Sequence, residues 1–360
     1  MKKVISVICV ILVMFILVAG AILAYLSVDE FNPEEVESLE INYQAHKKIE
    51  AGKSLRIMTW NMGYGALGDN ADFFMDGGRM VYTADEDRVN DNLNDMVEEI
   101  DKDYPDILFV QEIDRNSARS HFLDEAEFLR ENGKSEVFAG AYSYAPNFKV
   151  AFIPLPVPPI GKVDAGIAVF SDYEMVSSDR IKLPCPFKWP LSTMNLKRCL
   201  EVVRMPVENS DKELVLVNLH LEAYDSGEGK LAQTRELNDL LTEEVEKGNY
   251  VIAGGDFNQT FSDIDVSAYP VQEREWQAGL LDVNEFSEML SFYTDTSAPT
   301  CRSLARVLAT AESKDPKDFQ YYVIDGFIVS SNITVKKIET RDLGFVSSDH
   351  NPIVMDFVMN

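Results

Sequence analysis

An α/β domain, with apolar strands stacked in sheets beneath a cover of helices, is predicted by two features of the chain from Ser54 onward. Short apolar runs recur along it, and segments whose apolar residues fall at helical spacing lie between them. Hydrophobic residues make up 46% of the 360 positions, ample for a large core. Length alone would divide that core between two domains.

The first element is the uncharged run from Val4 to Val28, VISVICVILVMFILVAGAILAYLSV, long enough as a helix to cross a hydrocarbon layer of about 30 Å. Lys2 and Lys3 precede it, and Asp29, Glu30, Glu34, Glu35 and Glu37 follow. The positive-inside rule keeps the N-terminus in the cytoplasm and exports the remainder. Ala19-Gly20-Ala21 offers a signal-cleavage site, which would make the protein secreted, but cutting there leaves a mature end of Ile22-Leu23-Ala24-Tyr25. Residues 1–28 are therefore expected to be an uncleaved single-pass anchor. Residues 29–53, acidic and without apolar periodicity, are expected to form a stem.

Beyond the stem, LRIMTWN (55–61) is a strand candidate, and RVNDNLNDMVEEI (88–100) is a helix with Val89, Leu93, Val97 and Ile100 on one stripe. DILFVQE (106–112) and LVLVNLHL (214–221) are strands. The segment LAQTRELNDLLTEEVEKG (231–248) is a helix closed by Lys247-Gly248. YVIAGGDFN (250–258), YVIDGFIVS (322–330) and PIVMDFV (352–358) complete the set. No internal repeat stands out.

The chain carries a formal charge of −27, and leaving Lys2 and Lys3 in the cytoplasm makes the exported part −29. Such a surface repels polyanions and disfavours nucleic acid as a partner. Lys47-Lys48 and Lys197-Arg198 are basic pairs rather than a patch, and solvated surface is the expectation for both. Cys9 lies in the apolar run. Of the other cysteines, Cys185 and Cys199 could close a surface loop in an exported domain, with free thiols as the alternative.

Function is signalled where strands give way to loops. Apolar runs there deliver Asn61, Glu112, His220, Asp256 with Asn258, and Asp325, while Asp349-His350 stands just before the last run. An Asp-His pair in a polar turn signifies little alone. A set of such groups at the ends of rigid strands is the way scaffolds display reactive side chains.

In the order TWN (59–61), QE (111–112), NLHL (218–221), GDFN (255–258), IDGFIVS (324–330) and SDHNPI (348–353), these pieces resemble the endonuclease/exonuclease/phosphatase superfamily. That superfamily includes pancreatic-type deoxyribonucleases, abasic-site endonucleases, neutral sphingomyelinases and inositol polyphosphate 5-phosphatases. The resemblance implies a single catalytic domain, residues 54–360, folded as a four-layer α/β sandwich with the loops of both inner sheets at one edge. It also implies Mg²⁺, or Mn²⁺ in its place, held by Glu112 with Asn61 and Asp349. Asp256 would position the attacking water, Asn258 would donate to phosphoryl oxygens, and Asp325 would orient an imidazole. His350 matches the essential histidine, and His220 matches one found in the deoxyribonuclease and sphingomyelinase branches.

The Gly-rich loop 63–87, with Tyr64, Phe73, Phe74 and Tyr82, is either a mobile substrate loop or an ordinary long loop. The proline-rich VAFIPLPVPPIGK (150–162) and CPFKWPL (185–191), with Phe187 and Trp189, either cover the core or touch lipid or line an apolar pocket. The expectation is a membrane-anchored, metal-dependent phosphodiester hydrolase acting outside the cytoplasm on a small or lipid-linked phosphoester. A surface or secreted nuclease is the alternative, and a non-catalytic binding protein on the same fold is a third.

Overall fold

The computed structural model describes residues 2–225 and 227–360. Two seven-stranded mixed sheets face each other. One runs in the order Ile333–Thr340, Ile353–Met359, Ser54–Asn61, Ile107–Asp114, Gly161–Ser171, Ala141–Ile153 and Ile41–Asn42. The other runs Val36–Ser38, Ser177–Lys182, Cys199–Pro206, Glu213–His220, Tyr250–Asp256, Asp325–Ser330 and Leu290–Tyr293.

The apolar runs are continuous because both faces of these strands are covered. Along Ile107–Asp114, Ile107 and Phe109 enter the layer between the sheets, and Leu108 and Val110 face outward. Leu214 and Leu216 likewise point inward while Val215 and Val217 point outward. The outer face of the first sheet is covered by helix Glu86–Asp103 through Val89, Leu93, Met96 and Ile100. Asp85 caps that helix, its carboxylate accepting from the Arg88 amide. Helix Glu228–Glu246 covers the second sheet through Leu237 and Leu241. The result is the four-layer order helix, sheet, sheet, helix. The first helix extends beyond the expected 88–100 at both ends by less than a turn, and the second starts three residues before the expected 231 and ends two before the expected 248.

Strand sense explains how distant residues meet. Ser54–Asn61 runs parallel to Ile107–Asp114, and Glu213–His220 parallel to Tyr250–Asp256, so their C-terminal ends share one edge. Strands antiparallel to these bring their N-terminal ends to that same edge: Asp325–Ser330, Ile353–Met359, Cys199–Pro206 and Gly161–Ser171. Asp325 therefore opens a strand instead of ending one, because the run 322–330 is split into Tyr321–Tyr322 and Asp325–Ser330.

Residues 29–53 do not stand clear of the domain as a free stem. Val36–Ser38 pairs antiparallel with Ser177–Lys182, and Ile41–Asn42 pairs with Ala141–Ile153, adding an edge strand to each sheet. Ile49 is buried in the layer between the sheets. Ile49→Val is accordingly expected to cost about 0.5–1.5 kcal/mol of unfolding free energy in a denaturant titration. No change in midpoint would return this segment to the status of a linker.

Lys2–Asp29 is one helix, long and apolar enough to cross a membrane, and exposed along most of its length with Leu26 buried. All four cysteines are free, so the loop between Cys185 and Cys199 is not closed by a disulfide. Cys199 instead packs with Ala145 and Ile167.

Candidate active site

Asn61 is the hub of the shared edge. Its Nδ2 lies 3.3 Å from Glu112 Oε1, 3.1 Å from Asp256 Oδ2 and 3.4 Å from His350 Nε2, while its Oδ1 accepts from the Gly63 amide. Gly63 has φ +53°, and a Cβ there would meet Asp349 Oδ1 at 2.9 Å, so the chain turns close beneath that carboxylate.

Regular alternation would send Glu112 outward with Val110. A register irregularity between Val110 and Ile113, with Glu112 at φ +50°, turns the carboxylate into the cleft instead. A left-handed residue of this kind costs on the order of 1–3 kcal/mol, and such strain is found where side chains must be aimed.

His220 and Asp256 are cross-strand partners, with Nε2 and Oδ2 3.4 Å apart. Asp256 is also in register with Asp325 on its other side. The Asp325 carboxylate sits 2.9 Å from His350 Nδ1, which leaves Nε2 facing Asp256 Oδ2 at 3.7 Å. The loop bearing His350 is held by Trp60, whose Nε1 donates to the His350 carbonyl, and by Ser348, whose hydroxyl donates to the Asn61 carbonyl. Asn258 lines the cleft at φ +52° and uses one Nδ2 hydrogen on the Leu221 carbonyl. All eight residues singled out in the sequence thus converge at one end of the molecule. Six of them line the cleft, Asn61 contacts Glu112, Asp256 and His350 from beneath, and Asp325 stands behind His350.

Residues 58–350 match the model of the Endonuclease/Exonuclease/phosphatase family, most of the chain. The chain belongs to that family. Membership places it among phosphoester hydrolases. A family structure from Beutenbergia cavernae is similar at 18% identity and TM-score 0.56, covering 86% of this chain and 72% of that one. The human Nocturnin catalytic domain with bound sulfate is similar at 19% identity and TM-score 0.51, over 89% and 97% of the two chains. A family member from Bacteroides vulgatus gives 16% identity and TM-score 0.52, over 86% and 100%. These likenesses concern the fold. No curated protein sequence is significantly similar.

Burial shapes the electrostatics of this family member's site. It pushes Asp256 and Asp349 above the usual carboxylate range, with Asp325 adding to the effect on Asp256, and Glu112 and Asp76 to that on Asp349. Burial works against a charged His350, but Asp325, Cys301 and Asp256 outweigh it and hold its pKa well above the ordinary value. His220 moves the other way, lowered by burial, then by Arg198 and His350.

The donor set suits a hard divalent cation, since Glu112 and Asp349 offer carboxylate oxygens. Asn61, whose Nδ2 faces Glu112 and whose Oδ1 accepts from Gly63, would add an oxygen with its amide turned over. Asp349 Oδ1 is buried without a hydrogen-bond partner, a lone-pair site that a cation would satisfy. Ligand atoms of Cys301, Asp349 and His350 lie within 4.8 Å of one another, as do those of Asp256, Asp325 and His350. Burial pushes the Cys301 thiol up to about 12, and a hard cation prefers the carboxylate oxygens to a thiol.

The roles of Arg198 and Asp76 escaped the sequence reading. Lys197 and Arg198 are buried, not solvated, and Arg198 lines the cleft. Its Nη1 donates to the His220 carbonyl, and its Nε lies 3.5 Å from Glu222 without a hydrogen bond. Its place follows from tertiary pairing, since Arg198 immediately precedes the strand Cys199–Pro206, which runs antiparallel to the one ending in His220. Asp76, in the loop 63–87, reaches the cleft and accepts from the Tyr224 hydroxyl at 2.9 Å; burial raises its pKa to about 6. That loop is a cleft wall, with Phe73, Phe74 and Met75 also lining it.

Proposed function

We propose that the protein is a membrane-anchored, Mg²⁺-dependent phosphodiesterase whose domain works outside the cytoplasm on a small or lipid-linked phosphoester. The observation that carries this reading is the meeting of Glu112, Asp256, His220 and His350 around Asn61. The lysines before the N-terminal helix and the acids after it support export of the domain. The charge of the exported part speaks against a nucleic-acid substrate.

Glu112, Asn61 and Asp349 would hold the cation, which when bound offsets negative charge on the phosphoryl oxygens. Asp256 orients the attacking water and accepts its proton as the new P–O bond forms. Asp325 fixes the His350 ring so that Nε2 points into the cleft, where it donates to a phosphoryl oxygen. Asn258 contributes its second amide hydrogen to the same group. The departing oxygen takes its proton from His350, which Asp325 helps to keep charged, as the old P–O bond breaks.

The test is full-length protein with Mg²⁺ against bis(4-nitrophenyl) phosphate, sphingomyelin, glycerophospholipids, inositol phosphates, DNA and RNA. Chelation with EDTA and the substitution Glu112→Gln are each expected to reduce turnover by at least 10²-fold. Robust DNA nicking lost in Glu112→Gln would make the protein a nuclease. No turnover on the whole panel would leave a binding protein on this fold.

A further inference from the structure

We infer that one wall of the cleft is an apolar channel for the hydrocarbon chain of a phosphoester drawn from the bilayer. This rests on the phosphodiesterase and anchoring readings above and names the substrate class for them. The cleft has two unlike walls. Around Asn61 it is polar. Another part of its lining is mainly apolar, with Phe148, Ile160, Val163, Phe187, Met194 and Leu196, interrupted by the amides of Asn147 and Asn195.

That apolar wall is continuous with the foot of the membrane helix. Phe148 and Val163 belong to the same buried cluster as Leu26 in the last turn of Lys2–Asp29, and Ile160, Met194 and Leu196 pack against it. Polar ties fix the junction. The Asp29 carboxylate accepts from the amides of Ala151 and Phe152 at 2.8 and 3.2 Å, and Trp189 Nε1 donates to Ser27 Oγ at 2.9 Å. Glu30 pairs with the buried Lys197 at 2.8 Å. Tyr82 binds the far side of the hairpin through the carbonyls of Pro159 and Ile160.

A helix that spans a bilayer must emerge at its surface, so whatever is fastened to the foot lies at that level. The residues presented there are mainly apolar, with the exposed Lys188 among them. Val157 at the hairpin tip is 89% exposed and Trp189 is 62% exposed, with Phe152, Leu155 and Leu191 beside them in the two loops. Indole at the interface and apolar side chains beneath the headgroups are the composition such a surface requires. Proline explains how apolar loops stay there without adding strands: Pro154, Pro156, Pro158 and Pro159 lack the amide hydrogens a sheet edge would use. The cleft therefore opens beside the membrane, with its polar end holding the phosphate and its apolar wall leading toward lipid.

The test uses full-length protein in nanodiscs and needs no turnover. Binding of ethyl-, butyl-, hexyl- and octylphosphonate is measured with Mg²⁺ and corrected for partition into empty nanodiscs. Affinity is expected to rise by up to about fourfold per methylene, the factor for fully burying one such group. Ile160→Gln and Phe187→Gln, at half-buried positions that tolerate a polar residue, are expected to flatten this dependence, with an unchanged thermal melt showing that each variant is folded. Affinity independent of chain length overturns the inference, as does a chain-length dependence that both variants retain. If the wild type hydrolyses no phosphoester, the phosphodiesterase reading falls, and the phosphonate series still decides this one.

Discussion

His350→Ala is expected to lower phosphodiester turnover by about 10²- to 10⁴-fold, the usual contribution of an oriented acid–base group. The effect should fall on kcat more than on KM, because the imidazole stabilises charge that develops during the reaction and contributes little to ground-state binding. The fold should survive, since the contacts that hold this loop use backbone or neighbouring groups. Trp60 donates to the carbonyl of residue 350, and Ser348 ties the turn to Asn61. Asp325→Asn supplies the companion measurement. It keeps the shape of the partner but removes the charge paired with Nδ1, so turnover should fall less and the pH profile of kcat should shift. Full turnover in His350→Ala, with an unchanged thermal melt, would remove this histidine from the reaction.

The site was legible in the sequence because of a physical coincidence between apolar runs and what ends them. A strand covered on both faces must be almost wholly apolar, so Asn61, Glu112, His220 and Asp256 stand out sharply where Ser54–Asn61, Ile107–Asp114, Glu213–His220 and Tyr250–Asp256 run out. Strand sense was not legible, which is why Asp325 was placed at the wrong end of its strand. The strands Ala141–Ile153, Ser177–Lys182 and Cys199–Pro206 were not legible either. They carry Ser143, Arg180 and Glu201 at fully buried positions, and those side chains find partners on other strands that no local pattern reveals. Arg198 was misjudged for the same reason. A guanidinium reads as solvated until tertiary structure supplies the His220 carbonyl and Glu222 beside it. The bend that aims Glu112 into the cleft likewise depends on a neighbouring strand, through the irregular pairing with Gly161–Ser171.

Glu201→Gln is expected to stabilise the protein at pH 8 by a few kcal/mol relative to wild type, and to bring little or no gain near pH 4. Glu201 is fully buried between the sheets, within a polar network that joins them. Its carboxyl oxygens accept from Ser143 Oγ at 2.6 Å and Asn218 Nδ2 at 3.2 Å, and Gln111 Nε2 donates to Asn218 Oδ1 at 2.7 Å. Burial pushes its pKa up from 4.5 to about 8, against those hydrogen bonds. The folded protein therefore keeps a proton that the unfolded chain has already released. Stability from this group is fully present below about pH 4.5, falls by roughly 1.4 kcal/mol per pH unit across the window, and levels off above pH 8. Gln reproduces the protonated form, with its oxygen toward Asn218 and its amide donating to Ser143 Oγ, so it carries no such slope. Any fixed cost of imperfect hydrogen bonding shifts the whole curve and not its shape. The decisive quantity is the difference in unfolding free energy between variant and wild type, from chemical denaturation at several pH values between 4 and 9. A difference that does not change with pH would mean that Glu201 is ionised in the folded protein and that the network between the sheets solvates its charge.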